Sequence, residues 1–370
     1  MTAPAARKRD LAFRLSLGFI EDRNGNRRKV QWPLVALFGA LLPLSTLFGV
    51  YRSATTSVPA EIWVCAILLY TVSVLAINIL YHRGRTHGGL EFPAWVEVIL
   101  LIAAALAWQG NIWDWVTKHR MHHAKADVIG CDPHSPWEYP GWKGLLWAQW
   151  FWLFFLYELP ANYAPKDLRE NPRVRWHRGP FGFMPIAILG LAIPFLLYGW
   201  NGLLICGFLR IACSMTAVGW VNSICHMWGT RTTDSNGRAF VEDDSRNNVL
   251  VSLLTFGEGE HNGHHADEQS PRHGWHATLS AEAIDDGVVP DRDWRPDLTW
   301  RVIQGMAFCR LLRITYKPPE SVQFSSGQVA PKKALLAIHE QDAMSSRAGR
   351  RMAAVDRERQ LAMAGSASAS

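Results

Sequence analysis

The chain has 370 residues, of which 49% are hydrophobic, and it contains 18 Trp and a formal net charge of +6 at pH 7. Its apolar residues are concentrated in long stretches and its basic residues flank those stretches, so the charge does not indicate a nucleic-acid groove with interleaved aromatic residues. The six cysteines form no C-x-x-C pair, and nothing indicates disulfides or a thiolate metal site. The composition favours an integral membrane protein.

The N-terminus is basic, with Arg7, Lys8, Arg9 and Arg14, but the apolar patch that follows covers only residues 15–20. This pattern does not match a cleaved signal peptide. We therefore expect residues 1–31 to remain as a cytosolic N-terminal segment.

Four stretches approach the roughly 20 apolar residues that a membrane-spanning helix needs. They are residues 32–50, 60–81, 181–200 and 203–225. They predict two helical hairpins, the second closed by a turn at residues 200–202. Both hairpin connections are nearly free of Lys and Arg while the outer flanks are basic, so the positive-inside rule places the other helix ends in the cytoplasm. The predicted fold class is an all-α integral membrane protein with four transmembrane helices.

Two further apolar stretches, residues 94–108 and 145–159, are shorter, and we interpret them as interfacial or buried under the cytoplasmic region. If either crossed the bilayer, the histidine clusters described next would lie on opposite sides. From about residue 267 the sequence is polar and punctuated by proline. We therefore predict a membrane domain at 32–275, a helical cytosolic cap completed by 276–330, and a charged, partly disordered tail at 331–370.

Three histidine clusters follow apolar spans. Residues 119–123 (His-Arg-Met-His-His) and 261–265 (His-Asn-Gly-His-His) share the spacing i, i+3, i+4, which places three imidazoles on one face of a helix. His82 and His87 are spaced i, i+5 and would lie about 140° apart on an α-helix, so they either serve two metals or need a local distortion. The clusters hold too many imidazoles for one ion, and two metals with four or five histidines each is the simplest interpretation.

The metal is interpreted as iron, with zinc as the alternative. A hydrolytic zinc site would usually present H-E-x-x-H with a general-base Glu, and that pattern does not occur. The remaining histidines lack the cluster spacing and are interpreted as non-ligands; they are His134, His177, His273, His276 and His339.

The boxes at 82–87, 119–123 and 261–265 resemble those of the acyl-CoA desaturase family, of the stearoyl-CoA Δ9 desaturase type. Their surroundings agree: residues 109–115 precede the second box, Asp-Pro-His-Ser-Pro at 132–136 follows it, and Phe-Gly-Glu-Gly at 256–259 precedes the third. The similarity runs from about residue 30 to 275. The apparent insertion at 232–242 departs from the family pattern.

The resemblance implies two irons held by nine histidines, with Asn222 contacting one iron through water. The nine are His82, His87, His119, His122, His123, His226, His261, His264 and His265.

Metal-bound histidines usually donate their second ring N–H to an acceptor. Candidates for this role, which could equally be solvated acids, are Asp127, Asp132, Asp243 and Glu258. Candidates for lining the substrate site, which could equally anchor the protein at the membrane interface, are Tyr81, Trp113 and Trp115.

Basic residues near the boxes could attract the phosphates of a CoA head group or a membrane surface. They are Arg83, Arg85, Lys118, Arg120 and Lys125. Arg210 lies within the fourth apolar stretch, where a charge is costly unless it faces protein or a cavity. A functional role and a packing pair with Glu97 are both open for it.

Removing two hydrogens from unactivated methylenes requires an oxidant that side chains do not supply. The expected function is therefore O2-dependent desaturation of a long-chain acyl-CoA, or an acyl-lipid, with a cis double bond at Δ9. A histidine-box hydroxylase is the alternative enzyme, and a metal-binding transporter is the alternative from another class.

The sequence carries no dinucleotide fingerprint and no fused haem domain. The expected partners are a ferredoxin- or cytochrome b5-type electron donor with its NAD(P)H reductase, together with membrane lipid. We expect a multi-pass protein of a bacterial inner membrane with its active site on the cytoplasmic side.

Overall fold

The computed structural model describes residues 19–21, 27–156, 166–231, 233–234, 241, 243–274, 288–289 and 296–316. The predicted tail at 331–370, most of the 232–242 segment, His276 and His339 lie outside these residues.

Within the part of the chain that the structure describes, three helical stretches are long and apolar enough to cross a membrane. Helix α1 (Trp32–Thr55) has 24 residues, helix α2 (Ala60–Thr86) has 27, and a third stretch (Phe183–His226) has 44. This length and composition support the predicted membrane association. Helix α1 contains a π-helical segment at Val35–Leu41, and α2 changes from α-helix to π-helix for its last part, Ile77–Thr86.

The third stretch bends back on itself. Helix α8 (Phe183–Asn201) has a non-helical residue at Gly199, with φ 60°. Gly202 lies so close to α8 that an added Cβ would be 2.0 Å from the carbonyl oxygen of Pro194, although residues eight apart in one straight helix would be about 12 Å apart. The chain therefore reverses near the predicted turn. The number of membrane crossings remains a prediction.

The returning segment, helix α9, covers residues 202–226. It is π-helical at Gly202–Leu209, α-helical at Arg210–Ser223 and a short 3-10 helix at Ile224–His226. Its first part packs against both α1 and α2. This arrangement brings the end of α9 beside the end of α2.

The two shorter apolar stretches do not form long helices. Helix α3 (Ala94–Ala105) has 12 residues, or about 18 Å. The second stretch contains most of helix α5 (Trp142–Gln149) and a 3-10 helix at Phe151–Phe154. Both described segments are shorter than the roughly 30 Å of a bilayer core.

Short capped helices carry or support the histidine boxes. Asn111 caps helix α4 by accepting from the backbone N–H of Asp114 at 3.1 Å, and Asn248 caps helix α10 in the same way. The remaining helices are α4 (Ile112–Ala124), α6 (Lys166–Glu170), α7 (Pro172–Arg178), α10 (Val249–Thr255), α11 (His261–Ala266) and α12 (Leu298–Phe308). A 3-10 helix at Pro136–Glu138 follows the second box.

Among the described residues, three small antiparallel ribbons modify the all-α prediction to a mostly helical fold. They pair β1 (Phe19–Glu21) with β2 (Arg27–Lys29), β3 (Leu90–Glu91) with β6 (Arg313–Ile314), and β4 (Thr233–Asp234) with β5 (Val288–Val289). The β3–β6 pair fastens the chain after α12 to the loop after α2.

The largest buried cluster lies among α2, α3, α4, α6 and α7, and includes Tyr81, Leu101, Ile112 and Val116. Because Ile112 and Val116 lie on α4, this cluster supports the helix that carries the second box. All six cysteines are free thiols, in agreement with the sequence analysis.

The predicted pair between Arg210 and Glu97 is wrong. Arg210 donates to the carbonyl oxygens of Cys206 at 2.7 Å and Leu106 at 2.5 Å, so its guanidinium lies at the C-terminal end of α3, where carbonyls are unsatisfied. Glu97 lies nine residues earlier, about 14 Å along that helix. It pairs instead with Arg85 and Arg173.

Candidate metal centre

The nine predicted histidines converge into two adjacent groups. In each group the candidate ligand atoms all lie within 4.8 Å of one another. The first group is His82, His87, His119, His123 and His264, and the second is His122, His226, His261 and His265. The division into five and four agrees with the accounting from the sequence.

A π-helical turn brings His82 and His87 together. The backbone N–H of His87 donates to the carbonyl oxygen of His82 at 3.2 Å, which is the i to i+5 bond of a π-helix. The two rings therefore lie close together, edge to face, with centroids 4.9 Å apart. Two interpretations of the i, i+5 spacing were left open. The structure shows the local distortion, and because both histidines lie in the first group, the interpretation that they bind two different metals is wrong.

The histidine triplets on α4 and α11 are each divided between the groups. On α4, His119 and His123 belong to the first group and His122 to the second. On α11, His261 and His265 belong to the second group and His264 to the first. In each helix the i, i+4 pair stays together, while the i+3 residue, about 100° away from its neighbour, reaches the other group. The expectation that each triplet points in one direction is therefore wrong.

The geometry of the ring nitrogens fits metal ions. Within the groups, Nε2 atoms approach one another at 2.9–3.1 Å, in the pairs His82–His264, His119–His123, His123–His264, His226–His261 and His261–His265. Two nitrogens bound at about 2.1 Å and at right angles to one ion would be about 3.0 Å apart. Neutral imidazoles facing one another through unprotonated nitrogens would repel, and a shared cation removes that repulsion.

The opposite ring nitrogens of four of these histidines contact carboxylates. The pairs, each through Nδ1, are Asp127 with His226 at 2.9 Å, Asp132 with His122 at 2.8 Å, Asp243 with His265 at 2.8 Å, and Glu258 with His82. A carboxylate on Nδ1 holds the proton there and leaves Nε2 free to bind a metal. The structure thus places all four acids singled out in the sequence beside a ligand candidate.

Burial favours the neutral form of three of these histidines, which is the form that binds metals. It lowers the pKa of His119, His261 and His264 well below the ordinary value, and neighbouring histidines lower it further. Burial alone would raise the pKa of Asp132, but His122 and His134 beside it hold that pKa well below its usual range. At His119, His261 and His264 these shifts favour the neutral imidazole, and at Asp132 they favour the charged carboxylate.

Sequence reasoning missed three residues at the centre. Glu268, three residues after the third box, lies 3.2 Å from Nδ1 of His123. His134 lies 3.5 Å from Asp132, and the His273 ring stacks on His264 with centroids 4.3 Å apart. Both histidines lack the spacing of the clusters and were therefore interpreted as non-ligands. Only the position of His134 two residues after Asp132 indicated that it could lie near the centre.

Asn222 lies on α9, one turn before His226, and is half-buried. Its proposed contact to a metal through water remains a prediction. His177 contacts the Tyr81 hydroxyl at 3.3 Å and belongs to neither group.

The aromatic candidates lie at different distances from the groups. Trp115 stacks on His119 with centroids 4.9 Å apart, and Tyr81 packs edge-on against Trp115. Trp113 instead lies under Arg178, 4.7 Å from its guanidinium. Trp115 is therefore the aromatic candidate that stacks directly on a ligand candidate.

Several of the basic residues that were candidates for binding phosphates make contacts inside the protein. Arg83 is 1% exposed and pairs with Glu258, so its predicted attraction of CoA phosphates is wrong. Arg85 pairs with Glu97, and Arg120 donates to the carbonyl of Thr86. Lys118 lies 5.6 Å over the Trp152 ring, and Lys125 is half-buried.

An apolar cavity of about 850 Å³ opens between α1, α2, α9 and α10. Its lining includes Leu42, Ile67, Ala217, Trp220 and Phe256. Trp220 precedes His226 by six residues, or about 9 Å of helix, and Phe256 precedes the third box by five. One end of the cavity therefore lies near the second histidine group.

A family model described as fatty acid desaturase matches residues 57–293, which include all nine histidines. The chain is 34% identical over 263 residues to the sn-1 stearoyl-lipid 9-desaturase of Synechocystis sp., covering 69% of this chain and 72% of that protein. It is 30% identical to the sn-2 palmitoyl-lipid 9-desaturase of Nostoc sp., covering 82% and 97%. It is also 31% identical to the icosanoyl-CoA 5-desaturase of Limnanthes douglasii, covering 70% and 66%.

Proposed function

Because this chain belongs to the fatty acid desaturase family, we propose that it is an O2-dependent desaturase that introduces a cis double bond at Δ9 into a long-chain acyl group. The observation that carries the proposal is the pair of adjacent histidine groups beside an apolar cavity.

The metal centre is proposed to hold two irons, one in each histidine group. Asn222 would complete the second site through water. Reduced iron would supply chemistry that side chains lack, namely the activation of O2 for the oxidation of methylenes. The role of this chain is to orient the imidazoles, with their Nε2 atoms facing inward, by means of the carboxylates on Nδ1.

The apolar cavity is proposed to bind the acyl chain. Each methylene of the acyl chain that is buried contributes about 0.8 kcal/mol to the binding free energy, so a cavity of fixed depth can select the length of the acyl chain. Its walls would also fix which carbons lie near the metals, because a bound chain can slide only until its methyl end meets the cavity floor. Trp220 and Phe256, near the histidine groups, would exclude water from the reacting carbons.

We propose that the acyl carrier is a membrane lipid, with CoA as the alternative. Two of the relatives are named as lipid desaturases and one as a CoA desaturase. Arg83, Arg85 and Arg120 are engaged in internal contacts and are poorly placed to bind CoA phosphates. The cavity between helices also suits a chain that enters from the bilayer.

The topology proposed for this function has α8 and α9 crossing the membrane separately, with the boxes on the cytoplasmic side of a bacterial inner membrane. Electrons would come from a ferredoxin- or cytochrome b5-type donor and its reductase. A histidine-box hydroxylase would use the same centre, and its product would retain oxygen.

The test is fatty-acid analysis by mass spectrometry of cells that express the wild type, His264→Ala or His339→Ala. The wild type and His339→Ala should give the same new Δ9 double bond and His264→Ala none. Purified wild type should hold two irons and desaturate acyl groups of phospholipid vesicles in preference to acyl-CoA. Hydroxylated products, or equal double-bond formation by His264→Ala, would refute the proposal.

A further inference from the structure

A buried charge network connects the first histidine group to the start of α12. Arg83, which is 1% exposed, lies between Glu258 and Asp297. Its NH2 is 2.9 Å from Oε1 of Glu258, and its NH1 is 3.0 Å from Oδ1 of Asp297. The other oxygen of Glu258 contacts Nδ1 of His82. A continuous chain of contacts therefore runs from Asp297 to a ligand candidate.

Asp297 is itself held from several sides. It caps α12 by accepting from the backbone N–H of Trp300 at 2.9 Å, and it accepts from the backbone N–H of His273 at 2.8 Å. Gly257, with φ +121°, leaves space for it: an added Cβ would be 2.4 Å from Oδ1 of Asp297. The carboxylate is therefore fixed against the loop that precedes the third box.

Resting on the proposed metal centre, we infer that Asp297 is a positioning residue for the first iron site, acting through Arg83 and Glu258 on His82. Asp297 lies beyond residues 57–293, which the family model matches, and nothing in the histidine spacing points to it.

The physical reason is the orientation of a buried carboxylate. Glu258 needs one oxygen on Nδ1 of His82 for that ring to present Nε2 to the metal. A guanidinium between two carboxylates holds both in fixed geometry, because its planar fork bonds each through defined N–H groups. With Asp297 neutralised, Arg83 retains one charged partner and Glu258 is free to rotate toward it and away from His82.

Asp297→Asn removes the negative charge and one acceptor oxygen at almost unchanged volume, while its remaining oxygen can still cap α12. We expect the purified variant to bind iron at the first site 10–100-fold more weakly than the wild type. Losses of this size are typical when a residue that supports a metal ligand through hydrogen bonds is changed. Iron titration against a chelator should show one iron lost early and the other retained as in the wild type. Thr299→Val is the matched control, since it removes the contacts of Thr299 with Asn78 and Phe256 that dock α12 but leaves the charges intact.

The affected site is identified by combining variants. In a His122→Ala background, which impairs the second group, Asp297→Asn should weaken binding of the remaining iron by the same 10–100-fold. In a His264→Ala background it should add no further loss. If Asp297→Asn does not fold, Arg83→Lys should reproduce the selective loss, because an ammonium cannot bridge both carboxylates in the same geometry.

Two results would overturn the inference while leaving the proposed function intact. The first is a wild type with two irons whose Asp297→Asn variant keeps both at wild-type affinity. The second is an Asp297→Asn variant that changes the affinity for both irons equally and to the same extent as Thr299→Val, since the effect would then come from the docking of α12 and not from the charge. A wild type without iron would instead refute the metal centre and, with it, this role of Asp297.

Discussion

The backbone N–H of His87 bonds to the carbonyl oxygen of His82 at 3.2 Å, five residues earlier in the chain. This single π-helical turn places both imidazoles in the first histidine group. The same turn contains Gly84, where an added Cβ would be 2.6 Å from the Phe92 ring and 2.9 Å from the carbonyl oxygen of Ile79. The distortion and the close packing around it are therefore linked.

Gly84→Ala is expected to destabilise the protein by about 1–3 kcal/mol, because the methyl group must displace a ring and a backbone carbonyl. It should also reduce iron at the first site by disturbing the turn between His82 and His87. Thermal unfolding in detergent and iron per chain are the measurements. Gly305→Ala, on α12 with open space around it, is the control and should be neutral or stabilising. Equal effects of the two substitutions would contradict the role of the turn.

His119 and His122 share α4 but belong to different groups. His119→Ala and His122→Ala should therefore each lose mainly one iron, and the double variant should lose both. Iron per chain, measured by elemental analysis after gel filtration, checks this expectation. A double variant that retains as much iron as either single variant would show that both histidines serve one ion.

Asp127→Asn should weaken iron binding at the second site 10–100-fold, because His226 loses the charged acceptor that orients its ring. The measurement is competition with a chelator, followed spectroscopically. Asp167→Asn removes a carboxylate from an exposed pair with Arg120 and should leave iron affinity unchanged. Similar losses in both variants would mean that general charge, and not the contact with His226, governs affinity.

Ala217→Phe should shorten the acyl chain that the enzyme prefers, because the ring would occupy part of the apolar cavity. If two fewer methylenes fit, the loss of about 1.6 kcal/mol should lower the ratio of 18-carbon to 16-carbon products about tenfold. Gas chromatography of cellular fatty acids measures the ratio. Leu196→Phe, at a position on α8 that is 79% exposed, should not alter it. An unchanged ratio in Ala217→Phe would place the acyl chain elsewhere.

The sequence by itself determined the long apolar stretches and the eight histidines of the three boxes, while His226 entered through the family resemblance and the four acids were candidates that could equally have been solvated. These features are local: apolar length, histidine spacing and short motifs are visible within a few helical turns. The reversal near Gly199 was likewise expected from the short connection at 200–202. The periodicity of the sequence does not identify a partner for Arg210. The suggested pair with Glu97 was wrong because Arg210 contacts the C-terminal end of α3, whereas Glu97 lies near its N-terminal end.

Only the tertiary structure decided how the histidines divide into two groups. The division depends on a π-helical turn in α2 and on how the histidine rings of α4 meet those of α11. The spacing rules for a regular α-helix predict neither. The structure alone also brought His273, Glu268 and Asp297 to the centre. These residues reach it through contacts between distant parts of the chain, and such contacts follow from the packing of whole elements and not from local periodicity.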